Sequence, residues 1–210
     1  MLTKLGKKSI RVMLAVLITV TSLLFSSCAG EDNWIPVGMK LASTEAVDYR
    51  MFVPESWTID ISTGVITAYV SNTDRSNITM MAYNLENENA AMTLEEYWTK
   101  HEGDLLATFP DMKYAAAASE TSSGAEDESG TVSEENAKNI ATPVSMLLDG
   151  IPAHKYTYDA TVTGMSYRFM QTVAIRAGIV YIFTYTSTPA VFDSHLEDIT
   201  SIFDNFQFQK

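Results

Sequence analysis

Cysteine occurs once in the 210 residues, at position 28. A lone thiol excludes an internal disulfide and any zinc cluster built on paired cysteines. Histidine is almost as scarce. His101, His154 and His195 are scattered, and none belongs to a His-x-x-x-His or His-Glu-x-x-His pair. Gly-rich phosphate loops are absent, and no Gly-x-Ser-x-Gly or Ser-x-x-Lys elbow stands in a suitable context. The paired carboxylates Glu95-Glu96 and Glu134-Glu135 are sequence neighbours that point different ways, as solvated faces do. The sequence therefore predicts no catalytic residue, no metal and no cofactor.

Positive charge is the next shortage. The chain carries 14 Lys and Arg against 26 Asp and Glu, a formal net charge of −12. Four of the basic residues (Lys4, Lys7, Lys8, Arg11) lie in the first 27 positions, where no acid occurs; without that segment 10 face 26, or −16. Such a surface repels phosphate backbones and anionic headgroups, so nucleic acid is excluded as a partner and direct docking on a membrane is disfavoured.

The basic opening precedes the apolar run Val12 to Phe25, and Ser26-Ser27-Cys28 follows. Basic, apolar and small-residue regions in that order predict a secretory signal over residues 1–27. The run is shorter than the roughly 20 residues of a spanning helix. The Phe25-Ser-Ser-Cys28 pattern resembles the bacterial lipobox, with Phe25 where Leu is usual. That resemblance implies a diacylglycerol on Cys28 and an extracytoplasmic, membrane-anchored protein. The sequence then predicts a tether over 28–46 and a folded domain over 47–210. Trp34-Ile-Pro-Val is a candidate to pack back on that domain.

In the domain, Val47–Val53, Trp57–Ile61, Val65–Val70 and Asn77–Leu85 read as strands. Thr93-Leu-Glu-Glu96 is a capping box, Met92 and Tyr97 stand at staple positions, and Leu94, Tyr97, Trp98, Leu105 and Phe109 mark one helical face before Pro110. Residues 119–140 carry one Val and no aromatic among many acids, the composition of a disordered loop. Its spacing does not match an EF-hand. Four strands follow, 143–148, 153–162, 165–176 and 179–186. Asp149-Gly150, Thr163-Gly164 and Ala177-Gly178 separate them as hairpin turns, which makes the strands antiparallel. Thr188-Pro189 reads as the start of a last helix with Phe192, Leu196, Ile199 and Phe203 on its buried stripe, and Phe206-Gln-Phe208 as a closing strand. The fold class is α+β, an antiparallel β-sheet with helices packed on it.

Several segments resemble the PsbP-like domains of photosystem II extrinsic proteins and their bacterial relatives. They are Tyr49-Arg-Met-Phe-Val-Pro54-Glu-Ser-Trp57, Thr93-Leu-Glu-Glu-Tyr97, Leu148-Asp-Gly-Ile-Pro-Ala-His-Lys-Tyr156, Gly178 to Tyr185 and Ile202 to Phe208. The resemblance implies an α-β-α sandwich and a binding or assembly role, and it implies fold more strongly than function. No ligand motif allows the family's manganese or calcium links to be carried over.

Among candidate site residues, Tyr156, Tyr158, Tyr167, Tyr181 and Tyr185 fall on strands at period-two spacing, with Phe169 and Phe183 among them. They read as sheet core or as an amphipathic face for a peptide or small ligand. His101 borders the buried face of its helix, His154 opens a strand beside Lys155, and His195 is expected on the exposed side of the last helix. The leading expectation is a membrane-anchored, non-catalytic module for a protein or peptide partner. The alternatives are a small-ligand or lipid carrier with a pocket between sheet and helix, and an enzyme whose site is assembled from distant residues.

Overall fold

Three dipeptides set the frame. Asp149-Gly150, Thr163-Gly164 and Ala177-Gly178 each hold positive φ at both positions (45° and 78°, 50° and 84°, 50° and 77°). That is the turn whose twist matches antiparallel strands, and glycine at its second position adopts it without a Cβ clash. The turns join β8 (Val144–Leu148), β9 (Ile151–Val162), β10 (Met165–Arg176) and β11 (Ile179–Ser187) into one meander. The free side of β11 takes β6 (Asn77–Asn84), followed by β5 (Ile66–Tyr69) and β4 (Thr58–Asp60). Beyond the first half of β9 lies β8, and beyond its second half β7 (Lys113–Tyr114). The result is an eight-stranded antiparallel sheet. These elements come from a computed structural model that describes residues 34–86, 89–115 and 141–209. The expected signal segment, Cys28 and the acidic stretch 119–140 lie outside the described residues.

Period two splits the apolar residues of the meander between both faces. On β11, Val180 and Ile182 enter one buried cluster; Tyr181, Phe183 and Tyr185 enter the other. A sheet apolar on both faces needs a layer on each. Helix α1 (Leu94–Thr108) covers one face with Tyr97, Trp98 and Leu105. Its N-terminus is fixed as the sequence predicts: Glu96 N–H donates to Thr93 Oγ1 at 3.2 Å, and Thr93 N–H donates to Glu96 Oε2 at 2.8 Å. Gly103 does not end it. Helix α2 (Leu196–Asn205) covers the opposite face with Ile199, Ile202 and Phe203, helped by Trp57 and Phe206. Trp98 lies flat on Tyr156, centroids 3.5 Å apart and planes 4° off parallel.

Three expectations need correction. Strand pairing begins within the stretch expected to be tether: β1 (Met39–Leu41) pairs with β3 (Phe52–Pro54), and Ala42 and Ser43 are buried. Of Ile35-Pro36-Val37 only Pro36 is buried. Val47–Val53 is not one strand. β2 (Tyr49–Arg50) pairs with β12 (Gln207–Phe208), β3 with β1, and Met51 stands between them. Its N–H donates to Ser43 Oγ at 3.1 Å, which satisfies a buried donor outside any ladder. The last helix starts later than Thr188-Pro189: a 3₁₀ turn at Phe192–His195 leads into α2, whose N-terminus has no side-chain cap.

His195 is not on the exposed side either. Its Nε2 lies 2.7 Å from Asp74 Oδ2 and its ring meets Trp57 edge-on. Asp74 Oδ1 accepts from Ser76 N–H at 2.9 Å. The pair ties the β5–β6 loop to the start of α2. Burial would raise the Asp74 pKa, but hydrogen bonds from Ser76 and His195, with the latter's charge, hold it below its ordinary value. The folded pKa thus lies below the unfolded one, so the stabilisation is full above roughly pH 4 and fades as pH falls through the folded value. Asp74→Asn should therefore destabilise the protein at pH 7, with the gap to the parent narrowing as pH falls below about 4. Thermal unfolding at pH 7, 5 and 3 measures this; a gap independent of pH contradicts it.

Candidate functional site

Four of the five tyrosines singled out from the sequence are core residues on opposite faces. Tyr156 and Tyr158 lie in the cluster that holds α1, and Tyr181 and Tyr185 in the cluster that holds α2. They form no common surface. The phenol tips explain why they are not Phe. Tyr181 donates to Asp48 Oδ2 at 2.6 Å and Tyr185 to the Phe192 carbonyl at 2.8 Å, fastening loops to the sheet. The Tyr156 phenol meets His154 Nδ1 at 3.3 Å. Burial pushes the phenols of Tyr156, Tyr181 and Tyr185 up to about 12, so they stay neutral. Tyr167 is half-buried at the edge, its ring tilted on Phe169.

The structure assembles a different group. A helix about 10 Å across spans two or three strands spaced at about 4.8 Å. α1 lies over β9, β10 and β11, so the same sheet face is left thinly covered toward β6. There a cleft of about 310 Å³ opens between α1 and the end of β6. Tyr83, Leu85, Met92, Tyr97, His101 and Asp104 line it. β6 places Tyr83 on the α1 side by parity, since Ile78 and Met80 pack with α2. α1 sets Tyr97, His101 and Asp104 along one face at spacings of four and three, Tyr97 buried, His101 half-buried and Asp104 exposed at the rim.

Its polar floor is ordered by hydrogen bonds. Tyr83 and Tyr97 phenols lie 2.5 Å apart. Two hydroxyls sharing one bond leave one O–H proton without an acceptor among the described residues. His101 stacks on Tyr97, centroids 5.6 Å apart and planes at 22°. Its Nε2 lies 3.2 Å from Gln171 Oε1, and Gln171 Nε2 donates to Thr184 Oγ1 at 3.1 Å. With the amide turned that way, Nε2 carries the imidazole proton and Nδ1 the lone pair. Burial lowers the His101 pKa against the opposing Gln171 hydrogen bond and Asp104 charge, so the ring is neutral at pH 7. Burial, the bond to Tyr83 and the charge of Asp104 raise the Tyr97 pKa.

Charge at the rim is unpaired. Glu86, Lys100 and Asp104 line the cleft, and among the described residues none has an opposite charge within 4.0 Å. A larger hollow of about 440 Å³ runs along α2, but that helix alone lines it, so it is a surface furrow.

The histidines do not converge. His101 belongs to the cleft, His195 to the loop pair described above, and His154 sits near Tyr156 with Glu95 Oε1 at 3.6 Å. Glu102 accepts from Tyr114, whose oxygen accepts from Trp98 Nε1, a network that locks α1 to β7. Among the described residues no three His, Cys, Asp or Glu form a group able to hold a metal ion.

Sequence reasoning missed Tyr83, Gln171, Thr184 and Asp104. Gln171 carried a signal: at period two it falls between Phe169 and Val173 on the buried face, where a polar side chain needs a partner, and it is only 7% exposed.

No family model matches the sequence, and no curated protein matches it. Solved structures do. The chain is similar to the PsbP of the cyanobacterium Synechocystis sp. PCC 6803, with 13% identity over 88% of this chain and 99% of that one and a TM-score of 0.52. It is similar to LpqN of Mycobacterium tuberculosis, a protein involved in cell envelope biogenesis, at 11% identity over 77% and 83% of the two chains, TM-score 0.50. A Bacteroides thetaiotaomicron protein shares 9% identity over 82% of this chain and 49% of its own length, TM-score 0.51. At such identities the likeness is one of fold. The domain has the PsbP-like fold, an antiparallel sheet with two helices packed on it.

Proposed function

We propose that this is an exported lipoprotein, held at a membrane surface through Cys28, that binds a partner or ligand without catalysis in the cleft between α1 and β6. The observation that carries the reading is that cleft, with its neutral, hydrogen-bonded floor and unpaired rim charges. The lipid reading rests on the Phe25-Ser-Ser-Cys28 pattern behind a basic and apolar leader. LpqN, which has the same kind of fold, is involved in cell envelope biogenesis, and this supports an envelope role. A non-catalytic role is supported by the use of the three histidines: among the described residues His101 contacts Gln171, His195 contacts Asp74, and His154, with Glu95 on its far side, contacts the Tyr156 phenol, which burial keeps neutral and Trp98 covers face to face. The pocket between sheet and helix also keeps a small ligand in play beside a peptide segment.

Two measurements test this reading. Cells fed an alkyne-labelled fatty acid should label the full-length chain, and Cys28→Ser should abolish both the label and membrane recovery; label retained by Cys28→Ser overturns the anchor. A photoreactive residue at Met92, in the cleft, should crosslink a discrete species in growing cells, whereas one at Glu197, on α2, should not. Equal crosslinking from the two positions overturns the cleft as the binding surface.

A further inference from the structure

The cleft's chemistry is lopsided. The carboxylates of Glu86 and Asp104 and the Nδ1 lone pair of neutral His101 line the cleft, beside the Asn84 and Asn89 amides, which can both accept and donate. Among the described lining residues the one cation is Lys100, which is exposed. Two aromatic rings, Tyr83 and Tyr97, line the same space, the latter with His101 stacked on one face, and aromatic rings attract cations. Asp104 lies close enough for its charge to act on both Tyr97 and His101. The net charge of −12 adds a negative field, which clefts with low-dielectric walls focus. A volume of about 310 Å³ is at the small end for ligand sites, large enough for a short chain and too small for a folded element. Met92 and Leu85 supply apolar wall for the methylenes of such a chain.

We propose that the cleft binds a primary ammonium group on a short alkyl chain, with Asp104 and Glu86 taking the charge, His101 accepting an N–H hydrogen bond and the tyrosine faces flanking the chain. This rests on the cleft being the binding surface and names what it takes. A free diamine and the lysine side chain of a peptide share this chemistry. Lys100 stands four residues before Asp104 on α1, a spacing from which its ammonium can reach the same carboxylate, although the two are not within 4.0 Å here. The substitutions Asp104→Asn and Lys100→Gln therefore act in opposite directions, and both positions are exposed enough to leave the fold intact.

The test uses the full-length protein in non-ionic detergent. Titrants are cadaverine, Nα-acetyl-lysine methylamide and the neutral isostere 1,5-pentanediol, followed by calorimetry and by the NMR signals of the His101 ring. One-to-one binding of an amine that shifts the His101 signals is expected. Asp104→Asn should weaken it roughly tenfold, and Lys100→Gln should tighten it roughly twofold. Cadaverine binding better than the lysine derivative points to a free diamine; the reverse points to a peptide lysine. Pentanediol binding as well as cadaverine overturns the ammonium proposal while leaving the cleft as a binding surface. Failure of all three to shift His101 overturns the proposal and counts against the cleft as well.

Discussion

A sheet that is apolar on both faces is the constraint from which the rest follows. Strands β9 to β11 alternate two sets of large side chains, and neither set tolerates water. One helix is too narrow to cover a sheet seven strands wide. On the α2 face the shortfall is made up by β1 and β3, by Trp57 and by the C-terminal Phe206 and Phe208. On the α1 face no comparable supplement appears among the described residues, and toward β5 and β6 the side chains change to Thr67, Tyr69, Thr79, Met81 and Tyr83. The cleft is the seam where helical cover ends and this mixed surface begins. It is thus a consequence of the layer geometry, elaborated by polar residues, rather than a defect in packing.

The buried tyrosines and histidines show the cost of reading function from residue type. Tyr181 and Tyr185 combine ring area with one hydrogen bond to a loop, so each closes the core and fastens a connection at once. His195 spends its Nε2 on Asp74, which in turn holds Ser76, so the pair fastens a loop. Tyr83, by contrast, attracts little notice in the sequence. It is 46% exposed, yet its hydroxyl completes the floor of the cleft.

Much of the fold was legible. The Gly-containing dipeptides gave the meander, and the agreement is close because two-residue turns fix register locally. The Thr93 capping box gave α1 for the same reason: its signals lie within four residues. What failed depends on contacts distant in sequence. Met39–Leu41 is a strand because Phe52–Pro54 offers an edge, and no local pattern shows that. Thr188-Pro189 has the chemistry of a helix start, but the buried position of Phe192 delays the α-helix past it. The cleft was the least legible part, since Tyr83, Tyr97 and His101, and Gln171 and Thr184, come from three separate stretches of chain. Only the parity of Gln171 pointed toward it.

An anchor on Cys28 would confine the domain to a surface, where the cleft is the binding site we propose. The claim that the α1–β6 seam is the working surface is tested most directly by hydrogen–deuterium exchange of the full-length protein on its native membranes, compared with the purified protein. The account predicts that protection gained on the membrane is confined to Tyr83–Glu86 and to the Tyr97–Asp104 stretch of α1. Protection centred on α2 instead, or exchange identical in the two states, would contradict it.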